Sequence, residues 1–278
     1  MQKTLKQPTG FWLCTLCTLL LITLFPVIST WFSVVSRLSF QTSGLQWITL
    51  GVLGVVLYQH RQQMLFSLNG SLNSSIIGLG AFGIAVLIYL AAAILHIYTL
   101  FWASGLLLLA TGLWALSGLQ VLHQRLGWFI FALFLLPQMP LDLHTSISVS
   151  LQMFSTQITA TLAGLLIPIT HSGNIFFINA EAFEVTVACS GLNTWIGFLF
   201  AGFLWLVFEA FSFKRVAFIA SSALAFALLT NTLRLLITAL VAYYQSADSA
   251  IAIHTNLEYV LLPLGLVAMA WTGRKCGM

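Results

Sequence analysis

A cysteine in the stretch ACSGLNTW, residues 188–195, is the first candidate for chemistry in this sequence. Cys189 follows a short polar segment rich in β-branched and aromatic residues and precedes a long apolar run, so we expect it at the first turn of a helix. Unpaired backbone N–H groups and the positive end of the helix dipole would favour a thiolate there. Gly191 would let another backbone, such as a substrate strand, approach closely, and Ser190 adds a hydroxyl donor. The alternative is a small residue that only begins a helix.

The second candidate is a cation inside an apolar run. Arg234 lies in TNTLR, within an apolar segment at about 216–243. A guanidinium in the bilayer is costly, so its presence is by default a functional hypothesis. About 18 residues from Val216, at about 1.5 Å each, give roughly 27 Å of a hydrocarbon core of about 30 Å. We therefore expect Arg234 just below the outer surface, with Asn231 on the same helix face, unless the arginine only snorkels to headgroups.

The third candidate supplies a base. His254 precedes the last apolar run, at about 257–271, and is expected in a loop at the outer face. The thiol, the imidazole and the fixed cation would then lie at the same depth in the membrane. Together they suit acyl transfer, because imidazole can accept the thiol proton and arginine can hold a carbonyl oxygen. His144 and His171 are expected near the same surface and compete as the base. The spacing of His and acidic residues shows no metal signature, so we expect neither a metal nor a cofactor.

The composition indicates what carries these residues. Of the 278 residues, 60% are hydrophobic and 6% are charged, whereas a soluble domain has about 25% charged residues. The chain is therefore expected to be an integral membrane protein, and its apolar runs near 20 residues in length favour helices over a barrel. The net charge of +4 is attributed to cytoplasmic loops and not to nucleic-acid binding. We predict an all-α polytopic fold, with residues 1–278 as a single integral membrane domain.

We predict about eight transmembrane helices, at about 11–28, 45–58, 76–95, 100–119, 126–136, 192–211, 216–243 and 257–271, the second starting nearer residue 40 if it is full length. Residues 147–167 are amphipathic and predict a short helix in the outer interface, or a re-entrant one, with a further span as the alternative. Gly-Asn and a second polar turn, between short β-branched and aromatic runs, predict a β-hairpin before Cys189.

The charges agree with this topology. Eight of the ten lysines and arginines fall on the inner side, as the positive-inside rule requires. Both termini are therefore expected in the cytoplasm, with the candidate site facing the periplasmic or extracellular side. The inner basic residues are Lys3, Lys6, Arg61, Arg125, Lys214, Arg215, Arg274 and Lys275; the two others are Arg37 and Arg234.

Several motifs, in this order, resemble the exosortase/archaeosortase family of multi-span membrane cysteine transpeptidases. They are LPQMP at 136–140, the polar helix and hairpin, ACSGL at 188–192, Asn-x-x-Arg at 231–234 and His254. The resemblance is strongest over a core at about 126–272. Two positions depart from the family pattern, since Asn193 follows Gly-Leu and Glu258 stands where a glycine is common after the histidine.

The resemblance implies that Cys189 is the nucleophile, Arg234 the essential cation and His254 the third catalytic residue, with Ser190, Gly191 and Asn231 in support. It also implies the substrates, which are exported proteins with a C-terminal signal made of a short motif, typically Pro-Glu-Pro, a hydrophobic helix and a basic tail. The new C-terminus would pass to an acceptor such as a lipid or polysaccharide. The alternative is a non-catalytic membrane subunit of a polysaccharide-export or transport system.

Overall fold

A computed structural model of the chain describes residues 9–36, 40–66, 72–136, 141–179, 181–209 and 211–276. The predictions made for Lys3, Lys6, Arg37 and residues 137–140 of the LPQMP motif lie outside these residues. The described helices are α1 (Thr9–Val35), α2 (Phe40–Phe66), α3 (Leu72–Ile94), α4 (Tyr98–Ser117), α5 (Leu119–Ala132), α6 (Leu141–Ala163), α7 (Leu192–Phe208), α8 (Phe213–Tyr244) and α9 (Ala247–Lys275).

Each predicted span overlaps one of these helices, although the fifth was expected at about 126–136 and α5 is Leu119–Ala132. Helix α2 begins at Phe40, where a full-length span was expected to begin. Four helices in the described part of the chain are long and apolar enough to cross a membrane: Ile76–Ile94, Tyr98–Ser117, Phe213–Tyr244 and Ala247–Lys275. Three further apolar helices are shorter, at Ile22–Val35, Leu119–Leu135 and Leu192–Phe208. The predicted count of about eight spans therefore stays a prediction.

The chain forms two compact units. Unit 1 comprises residues 1–139 and 206–211 and contains α1 to α5. Its core includes Phe82, Tyr89, Trp102 and Leu108. The Trp31 indole N–H donates to the carbonyl of Leu135 at 2.6 Å, which ties α1 to the end of the α5 segment.

Unit 2 comprises residues 140–205 and 212–278, and every candidate catalytic residue lies in it. Helix α8 packs against α9 and α6, and a small sheet packs on the same core. That core joins Phe176 and Ile178 to Leu235 and Ala239 of α8. The single-domain prediction concerns the whole chain and stays a prediction.

Helix α6 covers most of the predicted amphipathic segment but begins and ends earlier, at Leu141–Ala163. Ser148, Gln152, Ser155 and Thr159 recur at helical spacing and are all buried. The opposite side exposes apolar residues such as Met153. The polar stripe therefore faces the protein, while the exposed apolar side suits lipid. Its placement at the outer interface stays a prediction.

The predicted hairpin is part of a three-stranded antiparallel sheet, β1 (Thr170–Ser172), β2 (Ile175–Ile178) and β3 (Glu181–Glu184), in the order β1-β2-β3. Strands β2 and β3 form the hairpin that was expected. The additional strand β1 arises because Gly173, with φ of +60°, makes a tight turn after Ser172. Strand β3 is followed by the turn that carries Cys189.

The predicted loop around His254 is wrong, because α9 begins at Ala247 and includes both Asp248 and His254. Ser246 caps this helix, since its hydroxyl accepts a hydrogen bond from the Ser249 N–H at 3.2 Å. Asp248 in the first turn adds a favourable charge at the helix N-terminus. These local signals extend the helix about ten residues beyond the apolar run that marked the span.

Candidate active site

Cys189 is the last residue of a single 3₁₀ turn, Val187–Cys189, and α7 begins at Leu192. The prediction that Cys189 occupies the first turn of a helix is therefore wrong, because Ser190 and Gly191 intervene. Ser190 is fully buried, and its hydroxyl accepts a hydrogen bond from the Leu192 N–H at 3.2 Å, which satisfies one free donor at the start of α7. Side chains around the sulfur could also stabilise a thiolate.

Two side chains contact that sulfur. His254 Nε2 lies 3.1 Å from Cys189 Sγ, although the two residues are 65 positions apart in the chain. The Thr186 hydroxyl donates to the same sulfur at 3.5 Å. Cys189 is partly buried against the core of unit 2. A thiol between an imidazole and a hydroxyl donor can lose its proton to the one and be stabilised as thiolate by the other.

Thr238 sets the protonation pattern of the imidazole. Its hydroxyl donates to the Arg234 carbonyl at 2.8 Å and lies 3.0 Å from His254 Nδ1. A carbonyl oxygen can only accept, so the single hydroxyl proton of Thr238 is assigned to the bond with Arg234, and we infer that the ring donates its Nδ1–H to Thr238. The neutral ring then has a bare Nε2 facing Cys189. This is the tautomer that a general base requires.

A chain of polar side chains leads from the cysteine turn to Arg234. Asn231 Nδ2 donates to the Cys189 carbonyl at 3.1 Å and to the Ser155 hydroxyl of α6 at 3.2 Å. Arg234 in turn donates from Nη2 to Asn231 Oδ1 at 3.1 Å. The predicted placement of Asn231 and Arg234 on one helix face is confirmed by this contact. Arg234 thus reaches the nucleophile's turn through Asn231.

The buried cation has a carboxylate partner. Arg234 Nη1 lies 2.8 Å from Glu258 Oε2, and the two side chains are 5% and 47% exposed. Its Nε is buried without a partner among the described residues. Glu258 is one of the two positions that depart from the family pattern, and here it offsets the cost of the buried guanidinium.

Gly191 lies against a side chain of the same protein. Its φ is +85°, and a Cβ built on it would lie 3.1 Å from both Cβ and Cγ of Asn231. The Asn231 side chain of the same protein therefore makes a close approach at this position, and the approach of a substrate strand stays a prediction. Glycine is required here because its lack of a side chain allows both the backbone conformation and the contact.

The structure brings Cys189 and His254 into direct contact and connects Arg234 to them through Asn231 and Thr238. The competing histidines lie elsewhere, since His144 is in α6 and His171 is exposed in β1. The described residues contain no group of three His, Cys, Asp or Glu side chains that could hold a metal ion.

An apolar cavity of about 210 Å³ borders both Cys189 and His254. Strands β2 and β3 line one part of it, and helices α8 and α9 line the other. A substrate side chain held there would bring the carbonyl of the same residue close to the sulfur. The arrangement can therefore support nucleophilic acyl transfer.

Four residues contribute to the site although the sequence reasoning gave them no role in it: Thr186, Thr238, Ser155 and Glu258, the last noted only as a departure from the family pattern. Helical spacing could have found two of them, because Thr238 is four residues after Arg234 and Glu258 four after His254. The second of these spacings was hidden by the wrong start of α9. Ser155 and Thr186 depend on tertiary packing, for which the sequence has no comparable signal.

The fold and the site together define a helical membrane protein with a cysteine–histidine pair and a buried arginine. The sequence model of the transmembrane exosortase family matches residues 38–271. This match covers most of the chain, which therefore belongs to the transmembrane exosortase family. The resemblance inferred from the motifs is thus confirmed. No curated protein and no solved structure matches the chain significantly.

Proposed function

We propose that this protein is a membrane-embedded cysteine protease and transpeptidase that cleaves the C-terminal sorting signal of exported proteins. The observation that carries the proposal is the 3.1 Å contact between Cys189 Sγ and His254 Nε2, made by segments far apart in the chain. Membership of the exosortase family, whose members are generally cysteine transpeptidases, supports the same reaction class.

The reaction begins with transfer of the Cys189 thiol proton to His254 Nε2. The thiolate attacks the carbonyl carbon of the scissile peptide bond, and the tetrahedral intermediate collapses with cleavage of the C–N bond. The leaving amine takes the proton from Nε2, which leaves a thioester on Cys189. An acceptor nucleophile then attacks the thioester, gives its proton to Nε2 and releases the free thiolate. With water as acceptor the result would be hydrolysis.

Arg234 supports this reaction by position and charge. Through Asn231 it fixes the carbonyl of Cys189, and its own backbone carbonyl accepts a hydrogen bond from the Thr238 hydroxyl. Asn231 thus connects the Arg234 side chain to Cys189, and Thr238 connects the Arg234 backbone to His254. Its positive charge would also stabilise negative charge that develops at the sulfur and the substrate oxygen. Pairing with Glu258 moderates that charge.

The substrate would be anchored by its own hydrophobic helix, with a short motif outside and a basic tail inside. We propose about eight spans for this protein, in the cytoplasmic membrane, with both termini inside and the site at the outer face. The positive-inside distribution of lysine and arginine supports this orientation. The same rule would orient the substrate, so that its scissile bond lies near Cys189. The acceptor would be a lipid or polysaccharide of the cell envelope.

The test is cleavage of a co-expressed reporter that carries a Pro-Glu-Pro signal, a hydrophobic helix and a basic tail. Wild-type protein should shorten the reporter, and Cys189→Ser, His254→Ala and Arg234→Ala should lose at least about a hundredfold in rate, as general-base loss does. Cys276→Ser is the matched control, because Cys276 is an exposed cysteine next to the C-terminal end of α9 and should be dispensable.

Membrane levels of each variant must equal those of the wild type. A thioester between the reporter and Cys189, released by hydroxylamine, should accumulate when acceptor is limiting. Cleavage at the wild-type rate by Cys189→Ser would refute the nucleophile assignment. Absence of cleavage across a panel of signal motifs would favour a non-catalytic membrane subunit instead.

A further inference from the structure

Three small residues form part of the helix side of the cavity beside Cys189. Ala239 and Ala242 of α8 and Ala250 of α9 all line it and are all buried. Leu235 lies one turn before Ala239 on the same face of α8, and Ile251 of α9 is a further large apolar residue on this side. Larger side chains at the three alanine positions would fill the space, so the cavity depends on these alanines.

The sheet side of the cavity is also apolar. Phe176 and Ile178 of β2 line it, together with Phe183 of β3 and Val185. Glu184 is the one charged residue among the described lining side chains, apart from the titratable His254. Glu184 is exposed and accepts a hydrogen bond from Asn174 Nδ2 at 3.3 Å, so it lies at the rim. A carboxylate entering the cavity would meet apolar walls and an acidic rim, and both oppose it.

The size of the cavity suits one side chain. Its volume of about 210 Å³ exceeds that of an engineered apolar cavity of about 150 Å³ that binds benzene. A branched aliphatic side chain or a phenyl ring therefore fits. Cys189 Sγ borders the same space, and the acyl carbon of a thioester bonds directly to that sulfur. The Cα of the acyl residue would then be two bonds from Sγ, with its side chain at the cavity.

We propose that this cavity is the specificity pocket for the residue whose carbonyl Cys189 attacks, and that it selects an uncharged apolar side chain. The proposal rests on the proposed function for the identity of the peptide. It adds which side of the scissile bond is selected and which protein residues make the selection. An apolar pocket of this kind discriminates side chains that differ by one methylene by about 10- to 200-fold.

The pocket can be tested without proteolysis by chemical labelling of Cys189. In purified protein with Cys14, Cys17 and Cys276 changed to serine, we would measure reaction with methyl, benzyl, dodecyl and 2-sulfonatoethyl methanethiosulfonates. The thiolate attacks the sulfenyl sulfur, a mixed disulfide forms, and methanesulfinate leaves. Each rate is divided by the rate of the same reagent with N-acetylcysteine, which removes intrinsic reactivity.

The benzyl reagent should exceed the methyl reagent by about tenfold or more in normalised rate, and the anionic reagent should be slowest. Ala239→Leu should abolish the benzyl preference, and the milder Ala242→Val should reduce it. Ala225→Leu, the same substitution at an exposed position of α8, is the control and should retain the preference. Equal normalised rates in the wild type would overturn the proposal, and so would a benzyl preference unchanged in both cavity variants. A dodecyl reagent faster than benzyl would indicate a lipid chain and also overturn it.

The second arm uses the reporter, after mass spectrometry of the product has located the cleaved bond. With Ala, Leu, Phe or Asp before that bond, the wild type should favour Leu and Phe, whereas Ala239→Leu should favour Ala. Such a reversal cannot come from misfolding, which would lower all four rates. Failure to cleave any reporter would refute the proposed function while the labelling still decides the pocket. Normal cleavage with no dependence on side-chain size would refute the pocket alone.

Discussion

Replacing Thr238 by valine tests whether the imidazole tautomer is set by the protein. Valine has nearly the shape of threonine and similar helix propensity, so α8 should be preserved. The change removes the acceptor of the His254 Nδ1–H bond, now 3.0 Å long, and the donor to the Arg234 carbonyl. The ring would be free to rotate or to place its proton on Nε2, where it could not accept the thiol proton.

The magnitude follows from the worth of the hydrogen bond to the ring. A hydrogen bond with a net free energy of about 0.5 to 1.5 kcal/mol corresponds to a loss of about 2- to 13-fold in rate. If the ring N–H were left buried without an acceptor, the cost of about 1 to 3 kcal/mol would correspond to a loss of about 5- to 150-fold. His254 is only partly buried, so water can replace part of the lost bond. We therefore expect a loss of about tenfold in acylation rate.

The assay is alkylation of Cys189 by iodoacetamide at neutral pH, in the background that lacks the other three cysteines, beside reporter cleavage. Both rates should fall together in Thr238→Val, and Thr238→Ser should restore most of each because serine keeps the hydroxyl. In the His254→Ala background the Thr238→Val change should have no further effect on either rate. The reasoning would be refuted if Val matched the wild type in both assays, or if Ser were as impaired as Val.

Substitutions at three positions, Arg234, Glu258 and Gly191, test the polar chain around Arg234. Arg234→Lys should lose cleavage almost as fully as Arg234→Ala. Lysine keeps the charge but cannot bind both Asn231 and Glu258 as the planar guanidinium does. Substantial cleavage by Arg234→Lys would show that charge alone suffices. Glu258→Ala should lower the free energy of unfolding in detergent by about 1 to 3 kcal/mol, since a buried donor of Arg234 loses its acceptor. Glu258→Gln keeps an acceptor oxygen and should lower it less. Equal melting temperatures for the wild type and both variants would contradict this role. Gly191→Ala should lower the free energy of unfolding by about 1 to 3 kcal/mol, because of the positive φ at this position and the contact with Asn231. It should also lower the rate of Cys189 alkylation. Full activity would show that the turn can adjust.

Much of the site was accessible from the sequence because its signals are local or chemical. A cysteine, an arginine within an apolar helix and a histidine stand out in this chain, and the three-residue spacing of Asn231 and Arg234 is enough to place them on one helix face. Apolar runs likewise marked the position of each predicted span. The sequence did not predict correctly where some of the helices begin. The start of α9 is set by the Ser246 cap and not by hydrophobicity, so His254 was assigned to a loop.

The cysteine turn was misjudged for a related reason. The step from polar to apolar residues predicted a helix start at Cys189, but Gly191 at φ of +85° delays α7 until Leu192. The conformation of that glycine is required by the Asn231 side chain, which comes from a helix forty residues later in the chain. A local pattern has no information about such a partner. The same holds for Ser155, whose role depends on how α6 packs against α8.

The geometry distinguishes two ways in which an arginine can serve this reaction. A residue that holds the substrate oxygen should line the cavity at the sulfur, yet the described lining residues there include Cys189 and His254 and not Arg234. Arg234 instead contacts Asn231 and Glu258, and its backbone carbonyl accepts from Thr238. One residue thus connects to the cysteine turn through Asn231 and to the histidine through Thr238. If this positioning role is the main one, Asn231→Asp should weaken the hold on the Cys189 carbonyl, because a carboxylate cannot donate to it, and cleavage should fall although Arg234 keeps a better acceptor. Cleavage at the wild-type rate in Asn231→Asp would instead require Arg234 to act on the substrate directly.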